Sequence, residues 1–293
     1  STRIQDITNV TVAAISLDET ESKVSCFQKV AVAGDSISCT ILAIDNVTKK
    51  AIVEAAYARA LQAEAKSSSG ERVFGEIVPG QGDFMVNFAM MKTGTVSLFV
   101  KYRVESGYAN LGSETGIVIE AGAVSPLTSK VACLEAKNVL TESKCYIKAL
   151  DKYSNPVESS SSENEGLFRL EATSSGLQSV SGGDAKHQTK NLYEISVPIR
   201  VSQAIYTVTV DVLDERMQST STLRLSSGPV VATHTEISCL DRVPALSMGK
   251  CTITGRDEYR NIVPSTQVVA QSFIGVVVDL SLIHISEPTR QLC

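Results

Sequence analysis

The chain has 293 residues, a formal net charge of −5, and 43% hydrophobic residues with no tryptophan. Its lysines and arginines form no cluster of the kind that neutralises phosphates, which argues against nucleic acid as a partner. No run approaches the roughly 18 apolar residues of a membrane helix, so the sequence predicts no direct membrane insertion, and no segment reads as a signal peptide.

In chain order, residues 1–22 match the last strand of a repeat whose beginning is absent, so the chain is expected to start inside a domain. The first cysteine pair, Cys26/Cys39, follows. Pairs recur at Cys133/Cys145 and Cys239/Cys251: the first members are 107 and 106 residues apart, the second members 106 and 106. A fixed interval of this kind marks a repeat array. The three 17-residue stretches ending at the first cysteines, VTVAAISLDETESKVSC, IVIEAGAVSPLTSKVAC and LRLSSGPVVATHTEISC, align without gaps. After the second cysteines come CTILAIDNVT, CYIKALDKYSNP and CTITGRDEYRNIVP. Each places an aspartate six residues on: Asp45, Asp151 and Asp257. The last two continue as Asp-x-Tyr-x-Asn, to Asn155 and Asn261.

Runs such as DFMVNFAM, TVSLFVKYRV, LYEISVPI and AIYTVTVDVL alternate with the period of half-buried strands. About seven short strands per repeat, separated by Gly/Ser/Asn-rich turns, predict an all-β chain of tandem immunoglobulin-like β-sandwiches. In the second repeat, strands are expected near 130–135, 143–151, 166–172, 177–181, 192–199, 204–213 and 218–226. SSSSENEG at 159–166 reads as a solvated loop. One segment departs from this pattern: KAIVEAAYARALQAEAK, residues 50–66, is dense in strong helix formers. From Asp45 to Phe74 is 29 residues, against 17 from Asp151 to Phe168, so a short helical insertion is expected at 50–66. The expected divisions are a truncated repeat at 1–22, repeat 1 at 23–128, repeat 2 at 129–235, the start of repeat 3 at 236–279, and a tail at 280–293. Within that tail, LSLIHISEPTR (280–290) resembles the in-frame translation of a sequencing adapter, so 280–293 is left out of fold reasoning. Its exclusion also removes the odd seventh cysteine.

Cysteines 12–13 apart, without CxxC and almost without histidine, fit neither zinc ligation nor redox catalysis. They suit two neighbouring antiparallel strands joined by a turn at Gly34-Asp35, Thr141-Glu142 or Ser247-Met248-Gly249. Three disulfides are therefore expected, Cys26–Cys39, Cys133–Cys145 and Cys239–Cys251. Each stabilises by roughly 3 kcal/mol on the chain-entropy model, and together they point to an oxidising compartment. Two sequons, Asn9-Val-Thr and Asn46-Val-Thr, are candidate glycosylation sites that agree with an extracellular or cell-surface address.

The aspartates and asparagines Asp45, Asp151, Asn155, Asp257 and Asn261 suit structural turns, because such side chains bond their own backbone two residues on. The alternative is calcium between domains. The links SPLTSK and GPVVATHTE carry almost none of the carboxylates that calcium needs, so no metal and no other cofactor is assigned.

The cysteine strand, Cys-x5-Asp-x-Tyr-x-Asn, and a late strand such as Gly94-Thr-Val-Ser-Leu or Ala204-Ile-Tyr-Thr-Val together resemble filamin-type immunoglobulin-like repeats, and secondarily invasin-type bacterial ones. The usual glycine before Asn is replaced by Thr48, Ser154 or Arg260. The resemblance implies a scaffold or adhesion function with protein partners, among them neighbouring repeats of the same chain. The sequence also admits an intracellular filamin-like cytoskeletal scaffold and the stalk of a larger surface enzyme. No catalytic motif is present, and His187 and His234 read as solvent-exposed. The chain is expected to be a non-enzymatic spacer or adhesion module.

Overall fold

Alternation of apolar and polar residues dictates where this chain forms strands. The computed structural model describes residues 16–134, 139, 141–158, 166–202, 204–239 and 250–264. Asn9, the loop 159–165, the turn Ser247–Gly249 and the 280–293 tail lie outside the described residues.

In the first repeat the strands are β1 (Lys23–Cys26), β2 (Val30–Val32), β3 (Ser36–Leu42), β4 (Leu61–Ser67), β5 (Arg72–Pro79), β6 (Phe84–Ala89), β7 (Gly94–Val104) and β8 (Gly107–Glu120). Their hydrogen-bonded order is β1-β3-β6-β5-β4-β7-β8-β2. β5 joins the two faces of the sandwich: Arg72–Gly75 pairs with β4, and Glu76–Pro79 pairs with β6. Gly75 stands at that crossover, where a Cβ would come within 2.3 Å of the Val86 side chain. The core between the faces contains Ile37, Ile41, Ala65, Phe84, Val86, Leu98 and Ile117, all fully buried.

The second repeat supplies β9 (Lys130–Leu134), β10 (Ser143–Lys148), β11 (Phe168–Thr173), β12 (Val180–Ser181), β13 (Lys186–Thr189), β14 (Leu192–Val197), β15 (Ile205–Val212), β16 (Glu215–Arg216) and β17 (Ser221–Arg224). They form two sheets, β13-β14-β10-β9 and β12-β11-β15-β16, with β17 also on β15. Ile147, Leu170, Ile195, Val208 and Val210 are buried. Of the third repeat, β18 (Glu236–Cys239) and β19 (Cys251–Thr254) are described, paired antiparallel. The chain is all-β and sandwich-like. By density of contact it separates into two units: one within Ser1–Leu134, Lys144–Val197 and Thr207–Thr222, the other within Glu135–Ser143, Pro198–Tyr206 and Leu223–Cys293. The first unit thus takes in the first sequence repeat and most of the second.

The segment 50–66 corrects its helical expectation. Only α1 (Ala55–Ala58), a single turn, is helical, and Leu61–Ser67 is strand β4. Leu61, Ala63, Ala65 and Ser67 alternate into the core, and burial of that face overrides the local preference of Ala, Glu and Gln for helix. The inferred 12-residue insertion disappears for the same reason. Leu61 opposes Tyr102 as Phe168 opposes Val212, so Leu61, and not Phe74, is the counterpart of Phe168. A second correction concerns the cysteine strands. In the first repeat they are not joined by a plain turn, because β2 intervenes, crosses to the other face and pairs parallel with β8.

Candidate functional site: a repeated Asp–Asn clasp

Each recurring aspartate ends a core strand and closes a turn. In the second repeat Asp151 Oδ1 accepts the N–H groups of Tyr153 (2.8 Å) and Asn155 (2.9 Å). Its Oδ2 accepts the Gly122 N–H (3.1 Å) and the Asn155 amide (2.8 Å). The turn puts Ser154 at φ 64°, in the left-handed region. Both functional side chains are deeply buried, Asp151 at 1% and Asn155 at 2% exposure. Burial disfavours the Asp151 carboxylate, yet its donors, led by the Asn155 side chain, hold its pKa below the usual carboxylate range.

The asparagine does more than close the turn. Asn155 Nδ2 also donates to the Met91 carbonyl (2.8 Å), and its Oδ1 accepts the Thr93 N–H (3.3 Å). Met91 and Thr93 belong to the β6–β7 loop of the preceding repeat, so one side chain stitches two consecutive repeats by both its groups. Lys92 Nζ adds a bond to the Tyr153 carbonyl (2.8 Å). The Tyr153 ring covers Gly34, which is at φ 88°; a Cβ there would lie 2.2 Å from the tyrosine hydroxyl. From the other side, the Glu71 carboxylate accepts the N–H groups of Met91 and Lys92 and fixes the loop that Asn155 grips.

The third copy repeats the arrangement within the second unit. Asp257, fully buried, accepts the N–H groups of Tyr259 (3.0 Å), Asn261 (2.9 Å) and Gly228 (2.9 Å). Asn261 Nδ2 donates to Asp257 Oδ2 (3.0 Å) and to the Arg200 carbonyl (2.8 Å), while its Oδ1 accepts the Ser202 N–H (3.1 Å). Arg260 is the left-handed residue, at φ 63°, and the Arg200 guanidinium lies 5.0 Å from the Tyr259 ring centre. Burial again opposes and the Asn261, Gly228 and Tyr259 donors outweigh it, so the Asp257 pKa is lowered too.

The first copy differs. Asp45 accepts the N–H groups of Val47 (3.0 Å) and Thr48 (2.6 Å), which lower its pKa, Thr48 foremost. Its turn closes from Asp45 N–H to the Lys50 carbonyl, one residue later than in the other copies. The left-handed residue is therefore Lys49 (φ 57°), which corrects the assignment to Thr48. Lysine 50 stands where the other copies carry asparagine. Lys49 instead forms an ion pair with Asp18, whose pKa falls through that pair and the Thr20 hydroxyl and N–H.

The cysteines face one another across antiparallel strands: Cys26–Cys39 and Cys133–Cys145 with Cα atoms 3.9 Å apart, and Cys239–Cys251 at 4.0 Å, each joined as a disulfide. A hydroxyl four residues before each first cysteine recurs as well. Ser22 and Ser129 accept the N–H groups of Ile44 and Leu150 (both 3.0 Å), and Thr235 donates to the Val231 carbonyl (3.0 Å). Asn46 is exposed on the first turn, its amide 3.3 Å from the Ser16 hydroxyl. Neither histidine is freely exposed. His187 lies half-buried on β13 against the Tyr193 ring, and His234 bonds the Asp257 carbonyl (3.1 Å). Among the described residues no three His, Cys, Asp or Glu side chains converge as metal ligands. No described helix is long and apolar enough to cross a membrane. Glu71 escaped sequence reasoning because nothing about a lone glutamate after a strand signals a loop 20 residues away. The recurring hydroxyl was legible as a fixed offset from the cysteines.

Fold and site together define an all-β chain of sandwich-like sheets whose second and third cysteine-bearing copies each carry an Asp–Asn clasp. Comparison with known proteins finds no matching family and no similar curated protein. Among solved structures, the adhesin FdeC of Escherichia coli is similar at 15% identity over 85% of this chain and 77% of that one, with a TM-score of 0.47. InvD of Yersinia pseudotuberculosis is similar at 14% identity over 84% and 73%, with a TM-score of 0.46. The FN1–FN3 domains of chicken CNTN1 align at 8% identity over 83% and 88%, with a TM-score of 0.39.

Proposed function

We propose that this chain is part of a tandem array of immunoglobulin-like domains that serves as a stiff spacer or adhesion scaffold outside the cell. It is a structural and interaction module, not an enzyme, and its partners are proteins and its own neighbouring repeats. The observation that carries this reading is the Asn155 side chain, which donates to Met91 and accepts from Thr93 across consecutive repeats. A linker without such bonds leaves relative domain motion as the default. Paired donor and acceptor bonds from a buried side chain restrain it. The address is supported by three cross-strand cystines, which persist in oxidising compartments. The test uses intact cells that carry the native protein, labelled with a membrane-impermeant amine reagent, followed by peptide mapping without reductant. Labelled chain with Cys26, Cys133 and Cys239 bridged to their partners is expected. Unlabelled chain with six free thiols returns the protein to the intracellular scaffold class.

A further inference from the structure

Where tension enters the first repeat is fixed by topology. An array held by its ends pulls this repeat at Lys23, the start of β1, and at Glu120, the end of β8. The elements nearest the entry are weak. β1 pairs with β3 over four residues, and β2 pairs parallel with β8 over only three, Val30↔Val118 to Val32↔Glu120. Two backbone bonds extend that parallel patch, Val118 N–H to Lys29 and Ala33 N–H to Glu120. A backbone-only path would slide β1 out first and then shear β2 from β8, each step breaking a few hydrogen bonds.

The bridge changes the path. Cys26 is the last residue of β1, and its partner Cys39 is the middle residue of β3. β3 lies inside the sheet, paired with β6 over six residues from Ser36↔Ala89 to Ile41↔Phe84. Its inward side chains Ile37, Cys39 and Ile41 have 0% exposure. We propose that the Cys26–Cys39 bridge is a tension strut: it carries pull from β1 straight into the buried centre of β3, bypasses the β2–β8 pairing, and keeps residues 27–38 out of the extensible length. This function goes beyond the spacer reading, rests on its tandem array, and is carried by the strand order, the bridge and the burial of β3.

The hidden length follows from chain geometry. Thirteen residues extend to about 45 Å, whereas the bridged Cα atoms are 3.9 Å apart, so the bridge withholds roughly 40 Å. Extension also requires β3 to leave a fully packed position, which raises the force over that for peeling two short edge strands.

The experiment stretches the whole chain between end handles in optical tweezers and compares it with Cys26→Ala/Cys39→Ala. The unaltered chain is expected to open its first repeat at higher force, and that event is expected to release about 40 Å less contour than in the variant. Equal contour increments overturn the proposal, because the bridge is then outside the tension path. A shorter increment at equal or lower force overturns the bypass. Should the variant not fold, the unaltered chain is unfolded, held at constant tension and exposed to dithiothreitol. Each bridge that is cut takes two hydrogens from the reagent, which leaves as its cyclic disulfide, and frees a step of about 40 Å. Absence of such steps also refutes the strut.

Discussion

Removing the Asn155 side chain tests the clasp at its narrowest point. Asn155→Ala deletes two bonds that cross between repeats, to Met91 O and from Thr93 N–H, and one within the turn, to Asp151 Oδ2. The crossing bonds are neutral and contribute about 1 kcal/mol each, so their loss costs about 2 kcal/mol. That shifts the ratio of open to closed clasp by roughly 30-fold. The third bond ends on a buried carboxylate and is worth about 1.5–3 kcal/mol, but Asp151 keeps the N–H groups of Tyr153, Asn155 and Gly122. Amide hydrogen exchange followed by NMR reads the effect residue by residue. The Thr93 amide is expected to exchange about 30-fold faster, while the Leu98 amide, in a strand with a fully buried side chain, stays unchanged. Asn155→Asp is expected to open the clasp further above pH 5, since it sets a second carboxylate against Asp151. Thr93 exchange unchanged within about twofold means that the Asn155 bonds do not hold the loop. So does equal acceleration at Leu98, which marks general loosening of the first repeat.

Further outcomes follow from the same geometry. The pKa values of Asp151 and Asp257 are lowered in the folded chain, so their contribution is present above the unfolded carboxylate value near ~3.9 and is lost as pH falls through the folded values. Urea midpoints are therefore expected to drop below about pH 4, and a profile that stays flat in acid contradicts this. Ser154→Gly relieves a left-handed residue at φ 64°. After the extra flexibility of the unfolded glycine is counted, a gain of roughly 0.5–1 kcal/mol in a thermal or urea melt is expected, and a loss would mean that Ser154 makes a contact which outweighs the strain. Gly34→Ala adds a Cβ 2.2 Å from the Tyr153 hydroxyl at φ 88°, which is expected to cost about 1–3 kcal/mol. Tyr153→Ala should recover the steric part of that cost in a double-mutant cycle, and additive losses argue against the contact. In a glycosylating host, Asn46 is expected to carry a glycan removable by an amidase, and an unaltered chain that loses no more mass on treatment than an Asn46→Gln chain counts against the site.

Strand positions were legible where large or β-branched apolar residues alternate on the buried face. The alternation in LYEISVPI and AIYTVTVDVL lies on β14 and β15, because burial of Tyr193, Ile195, Val208 and Val210 imposes a period of two. Polar β13 (Lys186–Thr189) was not, since an edge strand held by backbone bonds leaves no apolar signature. Residues 61–67 misled for the opposite reason: alanine and serine are small enough to pack in a sandwich, yet alanine scores as a helix former. The turn role of Asp151 and Asp257 could be read from Asp-x-Tyr-x-Asn, because those bonds are local. The reach of Asn155 to Met91, 64 residues away, could not, because a one-dimensional motif carries no record of its long-range partner.

The most direct measurement of the clasp places non-cysteine spin labels at exposed Lys66 and Lys186, one in each of the first two repeats, and records their distance distribution by pulsed dipolar spectroscopy. A single narrow distribution that broadens in Asn155→Ala is the result the clasp predicts. A distribution already broad in the unaltered chain, or one indifferent to Asn155, contradicts it.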